Sequence, residues 1–202
     1  GLLRLANHRI YERSVADPAA SGMETTATVA LVDERGGTVT LGHVGDSRAY
    51  RVRDGRLEQL TDDHSLVAEL VRGGRLTEEE ALVHPARSVI TRVLGTDPTV
   101  DVDTLTEALA PGDLVLLCSD GLSSMVRDET ILALVIGAAG PAEATEALVA
   151  AANAAGGEDN VTVVAFEVLD GDPTERPAPA PRPEAQVPEH EPHEDEPAGE
   201  DV

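Results

Sequence analysis

Three aspartates in this sequence have the neighbours that allow a carboxylate to bind a metal ion. Asp46 stands in Gly-Asp-Ser-Arg, Asp120 in Ser-Asp-Gly and Asp159 in Gly-Gly-Glu-Asp-Asn, each where a predicted strand begins or ends. Carboxylates gathered at one edge of a sheet repel one another and raise each other's pKa. Mg²⁺ and Mn²⁺ relieve that repulsion because they prefer oxygen ligands, and they acidify bound water. Three unrelated turn aspartates remain an alternative on spacing alone.

The stretch from Leu114 to Gly121 carries the second of these aspartates. Five apolar residues run without a break into Ser119, Asp120 and Gly121, which predicts a strand buried on both faces. Gly121 lacks a side chain, so backbone or a ligand can approach Asp120 closely. The alternative is that Asp120-Gly121 is only a turn, because Asp-Gly is a common turn pair.

The composition limits the possible partners and the compartment. The 202 residues include 38 acids and 15 bases, giving a formal charge of -23, which argues against nucleic acid or an anionic membrane as partner. Solubility explains most of these charges equally well. Cys118 is the single cysteine, which predicts a reducing, cytoplasmic setting. The longest apolar stretch, 131–139, is shorter than the roughly 18 residues of a membrane span.

The order of the elements predicts an α+β domain. Apolar residues at helical spacing predict a helix over 1–16, and turn residues separate four short strands that we expect to form an antiparallel meander over 27–60. Segment 62–95 is predicted to be a mostly helical insertion, with a capping box at Thr77 and Glu80, and is a candidate flap over a site. The remaining predicted elements are an edge strand over 100–105, a helix that Asp128 caps, a second helix that begins at Pro141, and a strand over 161–168.

The composition changes near residue 170. Eight of the 13 prolines lie in 171–202, among acids and alanines and with almost no large apolar residue. Such a segment buries too little apolar surface to fold. We therefore predict one domain over 1–169 and a disordered, acidic, proline-rich tail over 170–202.

Five motifs stand in one order along the chain, and together they resemble a known family. They are His43-Val-Gly-Asp-Ser-Arg-Ala-Tyr50, Leu60-Thr-Asp-Asp-His-Ser65, Ile90-Thr-Arg-Val-Leu-Gly95, Leu117-Cys-Ser-Asp-Gly-Leu122 and Gly156-Gly-Glu-Asp-Asn-Val-Thr-Val-Val164. The sequence resembles the bacterial form of the metal-dependent PP2C-type (PPM) protein serine/threonine phosphatases. That resemblance implies two antiparallel sheets sandwiched between helices, with a centre of two Mn²⁺ or Mg²⁺ ions at one end.

The resemblance also assigns roles to individual residues. Asp120 and Asp159 correspond to ligands of the two-metal centre, and Asp46 to a ligand of a third, weaker site. Asn160 and Gly121 would support these ligands, whereas His64 would belong to the flap that shapes substrate access or begin a helix. The nucleophile would be a metal-activated water that attacks phosphoserine or phosphothreonine, so no side chain is expected to act as nucleophile.

The family further implies how the protein is used and which contacts it makes. Its partners would be phosphorylated proteins, a serine/threonine kinase and that kinase's substrates, and we expect a monomer. Arg48 is expected to anchor its turn rather than bind phosphate.

Two departures from the family pattern leave an alternative function open. The family's opening strands, with an acidic ligand, a phosphate-binding arginine and a bridging aspartate, have no counterpart before Gly1, and Glu24 stands where the family usually has glycine. The alternative is a non-catalytic, phosphatase-like module that binds or regulates a partner. A plain acidic structural domain is a third possibility.

Overall fold

Two antiparallel sheets form the centre of the computed structural model, which describes residues 1–170. The first sheet has the strand order β1-β2-β5 and the second β4-β3-β6-β7. The strands are β1 (Ala27–Asp33), β2 (Thr38–Val44), β3 (Arg48–Arg53), β4 (Arg56–Gln59), β5 (Asp103–Ala108), β6 (Leu114–Cys118) and β7 (Val163–Glu167). The predicted tail lies outside the described residues, apart from its first position.

Helices cover both outer sides of the sheets. The α-helices of residues 1–170 are α1 (Leu2–Ala16), α2 (Leu66–Arg72), α3 (Glu78–Leu82), α4 (Asp120–Ser123), α5 (Asp128–Gly137) and α6 (Pro141–Ala154), of which α1, α5 and α6 cover the sheets. Leu3 of α1 packs over Gly42 in the first sheet. On the other side, Ile131 of α5 and Leu148 of α6 are fully buried against the second sheet. Within residues 1–170, no helix has both the length and the apolar character of a membrane span.

The second sheet has a buried central strand, as the apolar run predicts. β6 lies between β3 and β7, and Leu116 is 0% exposed. Successive side chains of β6 point to opposite faces of the sheet and pack in two different cores. Leu116 packs with Tyr50 toward α5 and α6, whereas Leu117 packs with Ala49 toward the first sheet. Because both faces are covered, the position of β6 is fixed, and so is the loop that follows it.

The predicted meander over 27–60 is wrong in its pairing. β2 pairs with β1 and β5, whereas β3 pairs with β4 and β6, so the turn between β2 and β3 carries the chain from one sheet to the other. Gly45 makes this crossing with a φ of +117°, a conformation that residues with a side chain rarely adopt. A Cβ at this position would also overlap Thr26. Local strand patterns do not reveal such a change of sheet.

The segment 62–95 is less helical than predicted. α2 spans 7 residues and α3 spans 5, and the capping box predicted at Thr77 and Glu80 is present. The remainder consists of tight turns, and an isolated bridge between Ser65 and Ile90 closes the segment at its base. Asn7 of α1 fastens the end of the segment by accepting the Gly95 amide hydrogen at 2.9 Å.

Two predicted boundaries shift. The edge strand predicted over 100–105 is β5, Asp103–Ala108, and it lies at an edge of the first sheet. Asp128 does not cap α5; Arg127 occupies that position and Asp128 is the first helical residue. The Asp128 carboxylate instead accepts a hydrogen bond from the Tyr50 hydroxyl at 3.3 Å, which joins the helix to β3.

Candidate metal centre

The strand register brings the loops of the three aspartates to one edge of the second sheet. Cys118, the last residue of β6, pairs with Arg48 at the start of β3 and with Val163 at the start of β7. Asp46 precedes that row by two residues, Asp120 follows it by two and Asp159 precedes it by four. The arrangement follows from antiparallel pairing, because the end of one strand lies beside the starts of both its neighbours.

Asp46 and Asp120 are close enough to interact electrostatically. Burial and the charge of Asp120 raise the pKa of Asp46 to about 6, although a backbone hydrogen bond and Arg48 oppose the shift. Two carboxylates in this relation repel each other unless a cation or a proton intervenes. In the absence of a cation, Asp46 therefore keeps its proton to a higher pH than an ordinary aspartate does.

The loop that carries Asp159 is fastened to the loop that carries Asp120. The Ser119 hydroxyl donates to the Asn160 carbonyl oxygen at 3.2 Å and accepts the Thr162 amide hydrogen at 3.0 Å. Gly121 is buried directly beneath this loop, and a Cβ on it would overlap the Asn160 carbonyl oxygen. The close approach expected at Gly121 is thus a backbone contact.

Asp159 itself is open to solvent. One of its carboxylate oxygens accepts the Asn160 backbone N–H at 2.7 Å. It lies on the wall of a shallow depression of about 380 Å³, lined by Val149, Asn153, Gly157, Glu158, Asp159, Asn160 and Val161. Exposed carboxylate oxygens facing a polar depression can accept a hydrated cation without a large desolvation cost.

The carboxylates do not converge into a complete ligand set. Across the described part of the chain, no group of three or more His, Cys, Asp or Glu side chains is arranged to hold a metal ion. The donor chemistry nevertheless fits Mn²⁺ or Mg²⁺, because the available groups are hard oxygens and one pair of them is held under repulsion. The ligand roles of Asp46, Asp120 and Asp159, and the supporting role of Asn160, stay predictions.

Arg48 anchors the turn, as expected, and its partner Asp63 escaped prediction. The guanidinium donates from Nε to Asp63 Oδ1 at 2.9 Å and from Nη2 to Oδ2 at 2.8 Å. Both side chains are largely buried, and Arg48 also donates to the Tyr50 hydroxyl at 3.0 Å. This bidentate ion pair joins the start of β3 to the start of the segment 62–95. The signal in the sequence is the acidic pair Asp62-Asp63 at the start of the segment 62–95.

His64 lies behind the Asp46 turn rather than on the surface of the flap. Only 3% of its surface is exposed, and its Nδ1 accepts the Gly45 amide hydrogen at 3.0 Å. Ser65, not His64, caps α2. The neighbouring His43 is also buried, with the two ring centroids 4.8 Å apart. Burial and the proximity of His64 lower the pKa of His43, which keeps that imidazole neutral at physiological pH.

Comparisons with known proteins agree with these features. The family model of stage II sporulation protein E (SpoIIE) matches residues 1–169. The serine/threonine protein phosphatase PstP of Mycobacterium tuberculosis is 46% identical over 171 residues, covering 84% of this chain. That match covers 32% of PstP, so the chain spans about a third of that relative's length.

Solved structures share the fold. The serine/threonine phosphatase Stp1 of Staphylococcus aureus superposes with a TM-score of 0.78 at 37% identity, covering 84% of this chain and 65% of Stp1. The catalytic domain of PstP in complex with two manganese ions gives a TM-score of 0.74 at 41% identity, covering 83% of this chain and 68% of that domain. The predicted α+β class with two sheets between helices is confirmed. The chain belongs to the SpoIIE/PP2C family of protein serine/threonine phosphatases.

Proposed function

We propose that this protein hydrolyses phosphoserine and phosphothreonine on other proteins with the help of Mn²⁺ or Mg²⁺. The observation that carries the proposal is the strand register that brings the loops of Asp46, Asp120 and Asp159 to one edge of the second sheet. Its family membership and the name of PstP support the same reaction. Two ions, with a third and weaker site at Asp46, are the expected complement, and the two manganese ions in the PstP catalytic domain support that number.

The residues of this chain would hold and orient that centre. A divalent cation at these carboxylates supplies charge neutralisation and an acidified water. Asp120 and Asp159 would provide oxygen ligands, and the Ser119 hydroxyl would fix the distance between their loops through its two hydrogen bonds. Asn160 would orient the ligand beside it. Arg48 is already paired with Asp63, so we do not expect it to bind the substrate phosphate.

Phosphorylated proteins would reach the centre past the segment 62–95. That segment exposes the apolar side chains of Leu82 and Val83, by 64% and 80%. A Ser/Thr kinase and its substrates in the cytoplasm would be the partners. The non-catalytic alternative has less support, because the similar proteins carry phosphatase names.

The first prediction concerns the metal ligands. In the full-length protein assayed with Mn²⁺ and p-nitrophenyl phosphate, Asp120→Ala and Asp159→Ala should each lower kcat by at least about 100-fold, because each removes an oxygen that holds the metal. Glu146→Ala is the control, an exposed acid on α6 outside that depression, and it should retain most of the activity. An active parent with both aspartate variants equally active would show that these roles are wrong.

The second prediction concerns Asp46 in the metal-free protein. Its pKa is raised from 3.8 to about 6, so the folded state binds the extra proton and stability falls as pH rises from about 4 through 6. Asp46→Asn removes this penalty. Thermal unfolding in EDTA should give a higher Tm for Asp46→Asn than for the parent at pH 8, and the same Tm at or below pH 4.

The control for this measurement is Asp101→Asn, an exposed acid. It should leave Tm unchanged at both pH values. A Tm difference for Asp46→Asn that is equal at pH 4 and pH 8 would contradict the raised pKa, as would its absence at pH 8.

The third prediction concerns Gly121. A methyl group there would displace the Asn160 backbone and with it the Asp159 loop. Gly121→Ala should therefore weaken Mn²⁺ binding, measured by calorimetry, by at least about 10-fold. Gly137→Ala is the control, because a Cβ on Gly137 meets nothing within 4 Å. Equal Mn²⁺ affinity in Gly121→Ala and Gly137→Ala would exclude a role for this close approach in metal binding.

A further inference from the structure

His64 is the point at which the base of the segment 62–95, the Asp46 turn and the first sheet meet. Its Nδ1 accepts the Gly45 amide hydrogen at 3.0 Å, and its Nε2 lies 3.1 Å from Asp103 Oδ2 at the start of β5. Its backbone carbonyl accepts the Thr91 amide hydrogen at 2.7 Å. The residue is 3% exposed, so a protein substrate cannot contact its ring.

The hydrogen bonds determine the form of the imidazole. A backbone amide can only donate, so Nδ1 must present its lone pair to Gly45. The ring proton therefore resides on Nε2, which donates to Asp103. Arg92 Nη1 lies 2.9 Å from Nε2 and donates to the other Asp103 oxygen at 2.6 Å. The Asp103 carboxylate therefore accepts hydrogen bonds from both His64 and Arg92. Burial alone would raise the pKa of Asp103, but these two hydrogen bonds hold it below the ordinary value.

Gly45 is the residue whose position most directly sets that of Asp46. Its amide donates to His64 Nδ1, and its carbonyl accepts the His64 backbone N–H at 2.8 Å. Both backbone polar groups of Gly45 are therefore hydrogen-bonded to one residue. A glycine at a φ of +117° has many alternative conformations, and these two bonds select one of them.

The other side of His64 leads into the segment 62–95. Two backbone hydrogen bonds join the two ends of the segment. One is the bond from Thr91 to His64 given above, and in the other the Leu66 N–H donates to the Val89 carbonyl oxygen at 2.9 Å. Arg92, at the far end, reaches Asp103 through the ion pair described above. A displacement of either end would therefore act on His64.

We propose that His64 is a positioning residue that couples the segment 62–95 to the turn carrying Asp46, with Nδ1 holding the turn and Nε2–H holding the segment through Asp103 and Arg92. The coupling gives the flap a route to the metal centre that does not involve contact between flap and metal. Its consequence for metal binding rests on the proposed function, whereas its consequence for the Gly45 amide does not.

Two substitutions separate the two hydrogen bonds. Asn carries its oxygen at a distance from the backbone similar to that of Nδ1, so His64→Asn keeps an acceptor for Gly45 but does not reach Asp103. Gln carries an N–H donor as far out as Nε2, so His64→Gln reaches Asp103 but offers Gly45 no acceptor at the right place. Asp103→Ala removes the far partner at a side chain that is 51% exposed, and it keeps the test open should the His64 variants fold poorly.

The experiment combines amide hydrogen exchange without metal and Mn²⁺ calorimetry on the full-length protein. In His64→Gln, Gly45 exchange should accelerate at least about 10-fold relative to the buried Leu116 amide, and the Mn²⁺ Kd should rise about 10- to 100-fold. In His64→Asn and Asp103→Ala, Gly45 exchange and Mn²⁺ affinity should stay within about threefold of the parent. In these two variants the KM for a phosphopeptide should rise by a larger factor than kcat falls.

Ile131→Ala, which opens a cavity beneath α5 away from this edge, is the control for simple loss of stability. If His64→Gln and His64→Asn alter Gly45 exchange and Mn²⁺ affinity equally, and no more than Ile131→Ala does, His64 has a structural role only. A parent that binds no Mn²⁺ would overturn the proposed function, and the exchange data would still decide the role of His64.

Discussion

The strand register that places the Asp46, Asp120 and Asp159 loops at one edge of the second sheet is the constraint on which the proposed metal centre depends. Burial, and after it the charge of nearby Asp120, raise the pKa of Asp46 to about 6, so two ionised carboxylates here are an unfavourable arrangement in an isolated domain. The fold enforces it because both residues extend from strands whose register is fixed by cores on two sides. A bound divalent cation would remove this cost, because its positive charge attracts both carboxylates.

The second sheet supplies the rigidity that keeps this arrangement in place. β6 contributes alternately to the core beneath α5 and α6 and to the core between the sheets, so it cannot slip by one residue without exposing both sets. Ser119 and Gly121 then extend that order beyond the strand, the first by hydrogen bonds and the second by the absence of a side chain. His64 provides the corresponding restraint on the Asp46 turn from the opposite side.

Sequence alone predicts the features that depend on local chemistry. The apolar run of β6, the close approach at Gly121 and the capping box at Thr77 follow from residue types over a few positions, and each is present. The change of sheet at Gly45 could not be predicted, because it depends on contact with Thr26 and on pairing with β5 and β6, which are distant in sequence. The burial of His64 depends likewise on Asp103, 39 residues further along. Its role at the back of the turn therefore becomes visible only in three dimensions.

The central claim is that one edge of the second sheet binds a small divalent cation through these aspartates. Anomalous diffraction from crystals of the full-length protein grown with Mn²⁺ tests it directly. The account predicts manganese at about 2.1 Å from carboxylate oxygens of both Asp120 and Asp159. Manganese bound only at other acidic residues, with the carboxylates of Asp120 and Asp159 turned away from each other, would contradict it.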